Sequence, residues 1–339
     1  MKSKGKFLSG VSNVFAKYNL PLILVIVFCI FSLLLPKSFP TWFNIKSMLN
    51  NQSVIIMLTL AVLVTIATNN YNLSVGYQVG LMHILVVGLQ VNQGLSWPLA
   101  CLAVMAIGCF IGLINGLLVS RVGVSDFITT LGMGEVIYGI SFLYTGGRQV
   151  VGDLPKAFMN IASNLGNVPT LILIVLVVAI VIFIVMEYLP FGRFLYFIGA
   201  NKKAADLSGI DPKRYITYAY VISGFITSLA GIMLGAMMRV GQTSVGPDYL
   251  MSANAGALLG AVCFKVGKVN VWGSVCATLL LATVISGLQQ MGAAYWVEPL
   301  FNGATLVLAV AVSLTAAKNR ISKSKRLKDR SIRESRQGG

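Results

Sequence analysis

PTLILIVLVVAIVIFIVMEYL, residues 169–189, decides the fold. Its only charge is Glu187, near the far end. No period-two alternation marks a half-buried strand, and no polar stripe marks a surface helix. A helix of this length, rising about 1.5 Å per residue, matches the roughly 30 Å hydrocarbon core of a bilayer. The stretch reads as a membrane span.

The same signature recurs along the chain. Expected spans are Leu20–Pro36, Val54–Thr68, Leu73–Val91, Trp97–Ser120, Phe127–Thr145, Pro169–Leu189, Tyr215–Met238, Val271–Met291 and Pro299–Ala317. A shorter Gly/Ala-rich stretch, Leu250–Cys263, makes ten. Composition agrees: 56% of residues are hydrophobic and 11% charged, against about 25% charged in soluble domains. The expected fold class is an all-α integral membrane protein with about ten transmembrane helices. It divides into a basic segment (1–19), a transmembrane body (20–317) and a basic tail (318–339).

Charge fixes the expected orientation. Of 26 Lys and Arg, only Lys37, Lys46, Arg148, Lys156 and Arg239 fall on the outer side if the N-terminus is cytoplasmic. The other 21 lie inside, the bias that cytoplasmic segments show. An even span count then places both termini in the cytoplasm. The net charge of +16 records topology rather than nucleic-acid binding, for which no motif is present. The tail is expected to lie against anionic lipid or to stay unfolded. The first apolar run lacks a small-residue cleavage site and reads as a retained span.

Small-residue stripes are expected at helix crossings: Gly108, Gly112 and Gly116; Gly231 and Gly235; Gly256 and Gly260. The five cysteines lie in apolar runs without metal-ligand spacing. Ionisable groups inside the spans are few. His83 reads as a hydrogen-bonded interior residue and Glu135 as a buried group satisfied by a neighbouring helix. No nucleophile–base set or pair of carboxylates suggests an enzyme. Neutral amides are the more suggestive polar groups, because they hydrogen-bond hydroxylated solutes without the tight grip of a charge. Tyr71, Asn72, Ser74, Gln78 and Asn115 are the expected pathway residues.

The cytoplasmic loop 190–214 has its own punctuation. Asn201 can cap a short helix over Lys202–Ser208, and Gly209 can supply the left-handed stop. Asp211 and Pro212 then open the next helix. Ala204, Ala205 and Leu207 are expected to be presented for insertion into a groove of another protein. The chain has no GxxxxGK[ST] phosphate loop, so a nucleotide would be bound by another polypeptide.

Three stretches carry a resemblance. They are Gly112-Leu-Ile-Asn115-Gly116 with Phe127-Ile-Thr-Thr-Leu131-Gly132 and Gly146-Gly147; Gly192-Arg193 with Ile198-Gly199-Ala200-Asn201 and Ala204-Ala205-Asp206-Leu207-Ser208-Gly209-Ile210; and Ser223-Gly224 with Leu229-Ala230-Gly231. The chain resembles the permease subunits of ribose-type ABC importers over nearly its full length. That resemblance implies the ABC importer permease fold in a bacterial inner membrane and a non-catalytic role. It also implies a coupling loop comprising Gly199, Asn201, Ala204, Ala205, Asp206, Leu207, Ser208 and Gly209. Implied partners are an ABC ATPase subunit that carries ATP-Mg, an extracytoplasmic solute-binding protein, a second permease subunit (homo- or heterodimer) and membrane lipid. No cofactor is expected on this chain. The implied cargo is a sugar or related small hydroxylated solute. The sequence departs from the family pattern at Asn72, where an acidic residue is usual, at Leu250-Met-Ser-Ala-Asn254, and at Ser286-Gly287, where Asn-Gly is common.

Overall fold

The computed structural model describes residues 18–265, 267–294, 296–308 and 311. The basic tail and most of the N-terminal segment lie outside the described residues. The described chain is almost entirely helical, with one small hairpin pairing β1 (Asn164–Leu165) with β2 (Val168–Pro169). Among the described residues, six helices are long and apolar enough to cross a membrane. They are α2 (Trp42–Ile66), α4 (Trp97–Leu117, extended by a π-helical turn to Val122), α5 (Asp126–Thr145), α7 (Thr170–Glu187), α10 (Pro212–Met238) and α12 (Val271–Gln290). Shorter apolar helices are α1 (Asn19–Leu34), α3 (Val75–Val91) and α13 (Val297–Leu308). The Gly/Ala-rich stretch forms α11 (Asp248–Leu259), and the short α6 (Lys156–Met159) precedes the hairpin. Each of the ten expected segments thus carries a helix.

The interior is organised on α2 and α10. Every residue of α2 from Ser53 to Thr65 is buried, which removes that segment from any lipid contact within the protomer. One apolar cluster joins α2 to α7, α10 and α11, and a second joins α3, α4, α5 and α10. The expected glycine stripes mark the crossings. A Cβ on Gly116 would lie 2.8 Å from the Thr217 Cα, and one on Gly235 would lie 2.6 Å from the Val86 Cγ1. A Cβ on Gly112 or Gly224 would strike backbone atoms of the facing helix. With no hydrophobic drive between helices in lipid, such close approach supplies the dispersion contact that holds the bundle together.

Three local features differ from the sequence reading. α2 begins twelve residues before Val54, because Thr41 caps it by accepting from the Asn44 N–H at 3.3 Å. The turns it adds are polar on one face, and a search for apolar runs passes over them. The loop after α7 opens with a further helix, α8 (Pro190–Ala200), with Pro190 in its first turn and Gly192, Leu195 and Ile198 buried at three-residue spacing. Glu135 is exposed on α5 rather than buried, but it does meet a neighbouring helix, through the Tyr77 hydroxyl of α3 beside it. His83 is interior as expected. Its Nδ1 lies 3.0 Å from the Gly80 carbonyl, and its Nε2 lies 3.1 Å from both the Val240 carbonyl and the Gln242 N–H.

Candidate functional site

The loop after α7 folds as its punctuation requires. The Asn201 side chain accepts from the Ala204 N–H at 3.0 Å and starts α9 (Lys202–Leu207). Gly209 takes φ +80, and the Ile210 N–H returns to the Ala205 carbonyl at 3.1 Å, closing the helix end. Asp211 caps α10 by accepting from the Lys213 N–H at 2.9 Å, while Pro212 occupies the first turn.

The burial of α9 corrects one expectation. Ala205 is fully buried, packed with Val119, Ile198, Ile216 and Tyr220. It anchors α9 to α4's π-helical turn, α8 and α10 instead of being presented. Leu207 is 90% exposed, an apolar side chain standing free at the end of a rigidly held helix, and Asp206, Ser208 and Gly209 are exposed around it. A Cβ on Gly199 would strike the Ala67 carbonyl, so α8 also presses on the end of α2. α9 is thus packed on the π-helical turn of α4, on α8 and on α10, and is linked to α2 through α8.

The expected pathway residues form a buried tie at the same end of the bundle. Asn72 Nδ2 donates to Ser223 Oγ at 3.0 Å, Ser74 Oγ donates to Asn72 Oδ1 at 2.7 Å, and Asn115 Nδ2 donates to Ser74 Oγ at 2.9 Å. Gln78 Nε2 reaches the Gly108 and Gly224 carbonyls at 3.3 and 3.1 Å. All four side chains are essentially inaccessible, so in this conformation they bind α3, α4 and α10 to one another and line neither of the cavities described below. Gln78 Oε1 and Asn115 Oδ1 are buried without a partner. Tyr71 is 37% exposed, and its carbonyl accepts from the Tyr220 hydroxyl at 2.7 Å. Tyr220 thus connects the anchor of α9 to this tie. Burial and the Asp126 carboxylate both raise the Tyr71 hydroxyl's pKa, so it remains a neutral donor.

The open polar space lies at the opposite end. A cavity of about 490 Å³ is lined by Asn44, Ser47, Asn51 and Gln52 of α2, Tyr249 of α11, and Ser286, Gln289 and Gln290 of α12. A neighbouring cavity of about 500 Å³ shares Ile55, Tyr249 and Glu298 with it and adds Asp248, Ser252 and Asn302. Among the described residues, no Lys or Arg lines either cavity. Gln290 Oε1 and Asn302 Oδ1 are buried acceptors without partners. Their amide nitrogens are held by Asn44 Oδ1 at 2.8 Å and Ser252 Oγ at 2.7 Å. Such a space suits a neutral solute rich in hydroxyl donors and disfavours an anion. The α2 lining was missed in the sequence. Its signal was the polar spacing Asn44, Ser47, Asn51 behind a capping Thr41.

The chain is similar to the D-allose transport system permease protein AlsC of Escherichia coli K12, 28% identical over 303 residues, covering 89% of this chain and 93% of that protein. It is similar to the ribose import permease protein RbsC of the same strain, 30% identical over 297 residues, covering 85% and 91%. The galactose/methyl galactoside import permease protein MglC of Haemophilus influenzae is 28% identical over 305 residues, covering 83% and 90%. No solved structure matches significantly. The profile described as branched-chain amino acid transport system / permease component matches residues 44–310, and the chain belongs to that family of multi-pass membrane permeases.

Proposed function

We propose that this chain is the membrane-spanning permease subunit of an ATP-driven ABC importer in a bacterial inner membrane. Its cargo is a ribose-like monosaccharide or a related small hydroxylated solute, such as an autoinducer-2-like molecule or a nucleoside. The observation that carries the reading is α9, anchored through Ala205 and ending in the bare Leu207. It is a lever built to receive force from another protein. That partner is a separate ATPase subunit carrying ATP-Mg, and an external binding protein delivers solute to the opposite face.

Ten crossings with both termini in the cytoplasm agree with the contacts made between connecting segments. Asn19 bonds to Val262 and Tyr196 to Val269, all at the proposed inner end. Val150 pairs with Gly241, and Gln290 bonds to Asn44, all at the outer end. Solute entering the outer cavity meets the amide acceptors of Gln290 and Asn302. Force on α9 acts through Tyr220 on the tie of Asn72, Ser74, Gln78 and Asn115. Two of its acceptors stand unpaired and gain partners in another arrangement of the same helices.

A second permease subunit covers α5. Glu135 is a carboxylate midway along a span and exposed on its outward face, a costly group to leave facing hydrocarbon. Gly132 and Gly139 lie on the same helix, and a Cβ on either would meet nothing within 4 Å. Filling that face with Gly139→Trp leaves the protomer's packing untouched and converts a dimeric permease to a monomeric mass by light scattering. A dimer mass that survives the substitution removes α5 from the interface.

The function is tested in proteoliposomes containing the permease, its co-purifying ATPase and the binding protein. Labelled sugar enters only with ATP. In the same assay, Gln290→Leu or Asn302→Leu lowers uptake by about 5- to 150-fold, the cost of about 1–3 kcal/mol for a lost acceptor. Uptake by the permease alone, driven by an ion gradient, overturns the importer reading.

A further inference from the structure

A second pair of clefts opens at the inner end, away from the solute cavities and from the tip of α9. Each has a volume of about 320 Å³, and they share Glu187 and Lys265. One is lined by Arg193, Tyr196 and Lys268; the other by Phe183, Tyr188 and Trp272. We infer that these joined clefts bind an anionic phospholipid, its headgroup phosphate held by Arg193, Lys265 and Lys268 and its acyl chain laid along α7.

Charge and surface together specify this ligand. Among the described residues, Glu187 is the single carboxylate lining the clefts, and it is already ion-paired with Lys265. Arg193 has no carboxylate partner among the described residues, and Lys268 sits 5.6 Å from the centre of the Tyr196 ring. The clefts therefore carry a net positive charge with two cations uncommitted. The Tyr196 hydroxyl donates to the Val269 carbonyl at 2.8 Å, which fixes the ring beneath Lys268. Burial, aided by the nearby Glu187 carboxylate, raises the Tyr196 pKa and keeps that donor protonated.

The other wall is aromatic. Phe183 packs edge-on against Tyr188 and tilted against Trp272, with both ring pairs 5.7 Å apart. Tyr188 lies four residues beyond Ile184 and seven beyond Val181, so the exposed Val177, Val181 and Ile184 form an apolar strip along α7 that leads to its ring. A free phosphate ion has no use for such a strip, whereas a lipid chain does. Basic clefts of this kind at the cytoplasmic boundary recognise anionic headgroups. The site also bears on coupling: α8 carries Arg193 and Tyr196 and runs into Asn201, the cap of α9. A bound lipid braces the helix on which the lever rests. This inference relies on the proposed placement of this end at the inner leaflet, but its failure would leave ATP-driven uptake unaffected.

The test uses full-length permease in mild detergent with added phosphatidylglycerol, phosphatidylcholine or inorganic phosphate, scored by retained lipid in native mass spectrometry and by Tm. Wild type retains phosphatidylglycerol about tenfold over phosphatidylcholine. Arg193→Gln/Lys268→Gln erases that preference, and Lys202→Gln/Lys203→Gln on exposed α9 keeps it. Equal retention of the two lipids by wild type overturns the site, whatever the variants do. So does a preference that survives Arg193→Gln/Lys268→Gln or falls equally in the α9 control. Stabilisation by inorganic phosphate that matches phosphatidylglycerol overturns the lipid as the source of the anion.

Discussion

Leu207→Glu abolishes ATP-driven uptake while the permease still inserts, folds and elutes as wild type. The side chain is 90% exposed and touches little of its own protein, so replacing it costs the protomer almost nothing. An apolar anchor at the centre of a docking contact is worth about 2 kcal/mol or more, and placing a carboxylate there weakens ATPase binding by at least about 30-fold. Ala205→Glu gives a different outcome. Its carboxylate would be forced among Val119, Ile198, Ile216 and Tyr220, so both thermal stability and uptake fall. Co-purification of the ATPase and Tm, measured on the same preparations, separate the two effects. Normal ATPase recovery with Leu207→Glu removes α9 from the contact.

Gly112→Ala is expected to cause a large loss of stability for a single added methyl. The new Cβ would strike the Tyr220 carbonyl, and the obstacle is backbone on α10 rather than a side chain that can swing aside. Overpacking of this kind costs about 1–3 kcal/mol, and relief requires α4 and α10 to separate. That separation also disturbs the tie, because Gln78 bonds to carbonyls of both helices. Gly303→Ala is the control: its Cβ would meet nothing within 4 Å, and the alanine favours the helix by up to about 1 kcal/mol. Fluorescence-detected size exclusion after heating measures both. Equal melting of Gly112→Ala and wild type contradicts the close crossing.

Features with a local cause were legible in the sequence. A span is a sum of transfer free energies over about twenty neighbouring residues, so Pro169–Leu189 announces itself without its partners. A cap is a hydrogen bond across two or three residues, so Asn201, Gly209 and Asp211 could be placed before their surroundings were known. The glycine stripes were legible too, because small residues in lipid have few other uses.

Which side of a helix faces inward was not legible. In water an amphipathic pattern shows the buried face, but in a bilayer the surroundings are as apolar as the interior, and the pattern vanishes. Glu135 was therefore read as buried, yet α5 turns it outward. Ala205 was read as presented, yet only contact with Tyr220 and Val119 shows it to be an anchor. The amides Asn72, Gln78 and Asn115 were chosen for a solute because their chemistry suits one, but distant helices supply their partners: Ser223 lies 151 residues from Asn72, and Gly224 lies 146 from Gln78. The cavity-facing acceptors came instead from the polar start of α2 and from α12 and α13, which meet only in the folded bundle. The sequence alone determined the membrane as solvent, the expected orientation and the punctuated lever, because each rests on neighbouring residues or on summed charge. Only the tertiary structure decided which residues tie the helices, which face a cavity and which stand exposed, because those roles depend on contacts between segments far apart in sequence.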